Sequence, residues 1–104
     1  MTQSLQIFME YRIKQENIHE YEQVMEHIIA ELPSFEAIEI QWFVATDQPH
    51  LYVEMFKVPT EAHYVALKKL RQDEDHHLFS KIHSMVDGGK EKIHCWAFRA
   101  KREV

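Results

Sequence analysis

The sequence predicts a single α+β domain with the element order strand, helix, strand, strand, helix, strand. Three observations predict it. Four short runs alternate apolar and polar residues, two longer segments repeat apolar residues at steps of three and four, and turn formers rather than linkers separate them. At 104 residues, 45% hydrophobic and 28% charged, the chain (1–104) has the size of one domain around one small core. So small a domain leaves much of its surface in water, which favours association with a partner subunit.

The first strand is read from Leu5, Ile7, Met9, Tyr11 and Ile13 alternating with Gln6, Phe8, Glu10, Arg12 and Lys14. Asn17 with Glu20 three residues on has the form of a capping box, and a helix should follow. Its apolar stripe is Ile18, Tyr21, Val24, Met25, Ile28 and Leu32, and Pro33 closes it. A second strand runs from Ile38 to Val44, Asp47-Gln48-Pro49 turns the chain, and Leu51 to Val58 makes a third strand that pairs with the second as a hairpin. Thr60 with Glu61 opens another helix, with Ala62, His63, Ala66, Leu67 and Leu70 as its stripe, and Asp73-Glu74-Asp75 breaks it. A further helix is expected from His76 to Asp87, stopped by Gly88-Gly89, before a last strand over 92–100.

This order is the split βαβ, or ferredoxin-like, topology: a four-stranded antiparallel sheet with helices on one face. Sorting the strands by parity assigns Leu5, Ile7, Met9, Ile13, Ile38, Ile40, Val44, Leu51, Val53 and Met55 to the helix-covered face. The other parity carries Phe8, Glu10, Arg12, Glu39, Gln41, Phe43, Tyr52, Glu54, Phe56, His94, Trp96 and Phe98. Six aromatic rings among charges are too much apolar surface for a monomer and fit a partly wet interface between two sheets. The expected partner is a second copy of the chain, docked through the face bearing Phe8, Phe43, Phe56, Trp96 and Phe98.

Composition removes several function classes. With Gly88 and Gly89 the only glycines, neither the phosphate-binding loop nor the dinucleotide fingerprint can be written. A lone Cys95 excludes an internal disulfide, a paired-thiol redox motif and multi-thiolate metal centres, and agrees with a reducing cytoplasm. Twelve Lys and Arg against seventeen Asp and Glu give a net charge of -5, and the short Arg99, Lys101, Arg102 cluster does not make a nucleic-acid footprint. No signal peptide and no run long enough to span a membrane is seen. The eight histidines would cancel much of the negative charge in mild acid.

Strand order, together with Leu51-Tyr52-Val53-Glu54-Met55-Phe56, Asp75-His76-His77-Leu78-Phe79 and Val86-Asp87-Gly88-Gly89, resembles the dimeric α+β barrel proteins, and within them the antibiotic-biosynthesis-monooxygenase-like domains. The resemblance covers Leu5 to Arg99. It implies a homodimer whose sheets close a barrel, with a small-molecule cavity in each protomer between helices and sheet. The family includes oxygenases that need neither metal nor flavin, haem-degrading enzymes, isomerases, decarboxylases and proteins without known activity, so fold alone does not settle function. The haem-degrading branch uses an asparagine on the first strand and a tryptophan on the second helix. This chain has neither, and only His76 or His77 matches that branch's histidine.

Position then selects candidate residues. Tyr11, Trp42, Tyr21 and His63 interrupt the aliphatic helix-facing surfaces and should project into one space, as an apolar cavity with a few polar handles requires. Ordinary core packing of hydrogen-bonded aromatics is the competing reading. His76 is a candidate gate to that space. His76 and His83, seven residues apart, would sit about 10 Å apart along a helix, too far for one metal ion, and no metal or cofactor is expected. Glu10, Glu39, Glu54, Arg12 and His94 are read as a charged network at the sheet interface, and Cys95 as an inert buried thiol.

Two functions follow. One is an oxygenase of the kind the resemblance implies, with His63 or His76 as base, Tyr11 or Tyr21 as hydrogen-bond partner and Trp42 as cavity wall, acting on a small aromatic or enolisable compound. The other is a non-catalytic dimeric barrel, either a structural module or a metabolite binder.

Overall fold

The structure, a computed structural model, describes residues 4–102. Four strands, β1 (Leu5–Arg12), β2 (Ile38–Val44), β3 (Leu51–Val58) and β4 (His94–Phe98), form one sheet in the order β2-β3-β1-β4. All pairings are antiparallel, with β1 central between β3 and β4. Two helices, α1 (Ile18–Glu31) and α2 (Glu61–Arg71), connect them in the ferredoxin-like α+β arrangement that the alternation predicts. Among the described residues no helix is long and apolar enough to cross a membrane.

Local sequence accounts for most boundaries. Leu5, Ile7, Met9 and Tyr11 on β1 are buried in strict alternation, and Tyr21, Met25, Ile28 and Leu32 from α1 and the turn after it close over them. A 3₁₀ turn at Gln15–Asn17 leads into α1, and the Asn17 side chain makes no capping bond, unlike the expected capping box. Pro33 sits in the first turn of a 3₁₀ segment, Leu32–Phe35, that ends α1. Thr60 does cap α2: its hydroxyl accepts from the His63 N–H.

Three expectations need correction. The stretch His76–Asp87 holds no α-helix; a 3₁₀ segment spans Phe79–Met85. Its buried residues, Phe79, Ile82 and Met85, recur every three positions, the period at which 3₁₀ side chains share one face. The chain then turns through Gly88 and Gly89, whose φ angles of 88° and 84° an L side chain rarely adopts. A Cβ on Gly88 would also stand 2.6 Å from Lys92 Cγ.

The second correction concerns β3. Ile7 lies opposite Phe56, Met9 opposite Glu54 and Tyr11 opposite Tyr52, and residues directly opposite share a face. Tyr52, Glu54, Phe56 and Val58 therefore lie under the helices, and Leu51, Val53, Met55 and Lys57 lie on the open face, the reverse of the parity assignment. Phe56, expected at a dimer interface, is 0% exposed. The third correction is a bulge in β2: the register shifts between Ile38 and Gln41, with Glu39 at φ 53°, so Ile38 pairs with Lys57 and points away from the helices.

Candidate functional site

β1, α1, β2 and β3 each send one polar-tipped side chain into the space between helices and sheet, and α2 sends a cation to meet them. Trp42 Nε1 donates to the Tyr21 hydroxyl at 3.0 Å, the Tyr21 and Tyr11 hydroxyls are 2.7 Å apart, and Tyr11 donates to Glu54 Oε2 at 2.5 Å. Because the Tyr11 proton goes to Glu54, Tyr21 supplies the proton between the two hydroxyls. Every donor in the chain thus points towards one carboxylate. Arg71 meets that carboxylate from the other side, Nη1 to Oε1 at 2.8 Å and Nη2 to Oε2 at 2.6 Å, a bidentate pair.

The cluster is dry. Glu54 is 1% and Arg71 2% exposed, and the guanidinium lies 5.1 Å from the centre of the Phe79 ring. Burial disfavours the Arg71 charge, but the Glu54 carboxylate outweighs it and leaves the guanidinium more firmly protonated than usual. Burial, then the Glu54 charge, pushes the Tyr11 and Tyr21 hydroxyls well above the ordinary tyrosine range, so both are fixed donors rather than bases. Tyr52 packs at 4.6 Å from Tyr21 and 6.0 Å from Trp42 between ring centres and gives its proton to Glu22 Oε2 at 2.7 Å. Burial, with that bond, raises the Tyr52 pKa to about 12.

Of the residues selected from sequence, Tyr11, Tyr21 and Trp42 are brought together, and His63 and His76 bond elsewhere. The His63 ring bridges Thr60 Oγ1 at 2.6 Å and Glu36 Oε2 at 2.5 Å, tying the start of α2 to the turn before β2. His76 Nδ1 accepts the N–H groups of Leu78 at 3.1 Å and Phe79 at 2.9 Å while its ring stacks on Phe79 at 4.2 Å. It thereby caps the 3₁₀ segment, and burial, with His77 beside it, lowers its pKa. Glu54 belongs to the core and not to the charged network at the sheet interface.

Glu54, Arg71 and Tyr64 are the residues that the parity and stripe assignments overlook. Arg71 lies four residues after Leu67 and seven after Tyr64, so all three share one flank of α2, and this is the inward flank. The signal was the spacing; a cation at the inward position hid it.

Open grooves lie elsewhere. Between α2 and the edge strand β4, two neighbouring cavities of about 220 and 320 Å³ both include Lys68 and Cys95 in their walls. A third, of about 220 Å³, lies among Glu10, Arg12, Asp87, Lys92 and His94. Among the described residues no three His, Cys, Asp or Glu side chains are grouped to hold a metal ion.

No protein-family model matches the chain, and no curated protein matches its sequence. Solved structures do resemble it. A conserved protein from Methanosarcina mazei Go1 superposes with a TM-score of 0.76 at 15% identity, over 96% of this chain and 95% of that one. An antibiotic biosynthesis monooxygenase gives 0.73 at 16%, over 94% and 99%. A NIPSNAP family protein from Agrobacterium tumefaciens gives 0.70 at 14%, over 97% and 89%. The chain thus has the α+β fold of antibiotic-biosynthesis-monooxygenase-like proteins, in agreement with the resemblance drawn from its sequence.

Proposed function

We propose that the protein is a homodimeric, small-molecule-binding barrel whose helix–sheet core is structural rather than catalytic. The observation that carries this reading is the closure of the polar cluster: Glu54 is satisfied by Arg71 and Tyr11, and the tyrosines spend their protons inside the chain of bonds. One of the similar folds is named as an antibiotic biosynthesis monooxygenase, and an oxygenase that worked by abstracting a proton would need a free base facing its substrate. His63 and His76 are engaged with Glu36, Thr60 and the backbone at 78 and 79, and neither joins the cluster.

The second copy is argued from the open face. Phe43 is 45%, Trp96 45% and Phe98 53% exposed there, with Phe8 packed at 5.8 Å from Trp96 and 6.5 Å from Phe98 between ring centres. Four strands about 4.8 Å apart, up to eight residues long at about 3.3 Å each, present a face of roughly 19 by 26 Å. Side-chain relief brings such a face near the ~800 Å² per partner of a stable complex. Glu10, Arg12, the Glu39–Lys57 pair and His94 supply both signs of charge on it, as pairing with itself requires. Sedimentation at micromolar concentration should give a dimer of a 12.5 kDa chain. A monomer there, with native circular dichroism, overturns the assembly.

A further inference from the structure

The segment between α2 and β4 is held down by side chains more than by its backbone. Among the described residues its first backbone bond to another element comes at Met85, whose carbonyl accepts from the Lys14 N–H at 2.9 Å. Before that the backbone bonds are local: His76 donates to Asp73, Ser80 to His76 and Lys81 to Leu78. Over 78–84 the ties to the rest of the chain are the buried Leu78, Phe79 and Ile82 and the His83 ring, whose Nε2 donates to the Arg71 carbonyl at 2.7 Å. The segment packs against α1 and α2, and Phe79 covers the Arg71 guanidinium. A stretch tied in this way can open by itself while sheet and helices stay paired.

One ring fixes its start. His76 Nδ1 accepts both the Leu78 and the Phe79 N–H, which takes its lone pair and hence a neutral ring with its proton on Nε2. A second proton would remove that lone pair and set a third N–H against the other two. Burial, then His77 beside the ring and Arg71 at the end of α2, oppose the cation; Asp73 in the preceding turn and Glu31 at the end of α1 favour it, and the balance lowers the pKa. His83 donates to its carbonyl in either charge state, so its own protonation breaks nothing, and His77 is exposed.

We infer that His76 is an acid-sensitive latch: protonating its ring frees residues 78–84 and uncovers Arg71 with its partner Glu54, while the sheet and both helices remain folded. The latch lies on the helix side of the sheet and is independent of the dimer.

The test is native-state hydrogen exchange of the full chain between about pH 5 and 7, a range above the usual carboxylate pKa of about 4. Exchange is read by mass spectrometry on peptic peptides and divided by the intrinsic rate at each pH. Because the open form binds one more proton than the closed form, opening of 78–84 should increase as pH falls below 6.5, by up to about tenfold per unit, until the folded pKa is reached. Peptides from β1 and β3 should show no such change. His76→Asn keeps a neutral acceptor and should remove the dependence, whereas His77→Asn should keep it. In the unaltered chain the ring resonances of His76 should titrate below 6.5, a reading that needs no variant. Opening over 78–84 that is independent of pH, an equal rise in β1 and β3, a His76→Asn variant with the dependence intact, or a His76 ring that titrates at 6.5 or above each overturns the latch.

Discussion

Arg71→Met tests the buried ion pair directly. The substitution keeps a flexible apolar stem of similar length but leaves the Glu54 carboxylate, 1% exposed, with the Tyr11 hydroxyl as its remaining partner. Removing one member of a buried pair costs about 3–5 kcal/mol, because the other charge stays desolvated without its counterion. A domain of this size holds about 5–15 kcal/mol in all, so a loss near 4 kcal/mol is a large share. At about 4–8 °C per kcal/mol, the thermal midpoint should fall by about 16–32 °C. The double variant Glu54→Leu with Arg71→Met removes both charges and leaves the Tyr11 hydroxyl, which still accepts from Tyr21, without the carboxylate that takes its proton, at about 1–3 kcal/mol. It should therefore be more stable than Arg71→Met alone, by about 2 kcal/mol. The assay is urea unfolding followed by far-ultraviolet circular dichroism, with protein concentration held fixed because association would contribute to the midpoint. A single variant that loses less than about 1 kcal/mol, or a double variant no more stable than the single, would refute the assignment of Glu54–Arg71 as a desolvated, mutually dependent pair.

Tyr11, Tyr21 and Tyr52 all have folded pKa values raised above 10.0, so the stability they contribute is complete below pH 10.0 and declines as pH rises towards the folded values, about 12 for Tyr52. Alkaline titration should show tyrosinate absorbance from these three only as helical signal is lost; free, reversible ionisation near pH 10.0 in a folded chain would contradict it. His76 has a folded pKa below 6.5, so its stabilisation is complete above that value and is lost as pH falls through the folded pKa. His76→Ala should cost about 1 kcal/mol at neutral pH through the lost cap, and His76→Asn, which keeps an acceptor, should recover part of this and flatten the acid limb; an unchanged acid limb would count against the cap. Trp96→Ala should weaken self-association more than Trp42→Ala does, since Trp96 stands on the open face and Trp42 is tied to Tyr21 beneath the helices; equal effects on the dimer constant would dispose of the sheet-face interface.

The fold was legible because its period-two and period-three-or-four segments are long enough to average out exceptions. β1 and the bridge residue that follows it carry five successive alternate positions that are all buried, Leu5 to Ile13, and the predicted β3, Leu51–Val58, matches the strand in the structure. Parity within β3 was not legible. Its two sets, Leu51, Val53, Met55, Lys57 and Tyr52, Glu54, Phe56, Val58, each contain three apolar residues and one charge, so hydrophobicity cannot choose between them. The choice is made by Arg71, seventeen residues further on, which makes Glu54 tolerable in the core. Long-range charge pairing leaves no local trace. The histidine segment failed differently: Phe79, Ile82 and Met85 fit an α-helical stripe nearly as well as a 3₁₀ face, so apolar spacing alone does not separate the two.

The candidate residues show how an exception to apolar packing can be found correctly and still be misread. Tyr11, Tyr21 and Trp42 were chosen because polar tips beneath helices need partners, and they do converge. Convergence distinguishes a site from a core only through what remains unsatisfied. Here the donors run in one direction to Glu54, the carboxylate is balanced by Arg71, and the hydroxyls are held protonated, so nothing in that cluster is poised to exchange a proton or bind an anion. Among the described residues the one buried side-chain nitrogen or oxygen left without a partner is the Nε of Arg71. The convergence of Tyr11, Tyr21 and Trp42 is therefore that of a hydrogen-bonded core, whose polar capacity is spent on its own members save for that one N–H.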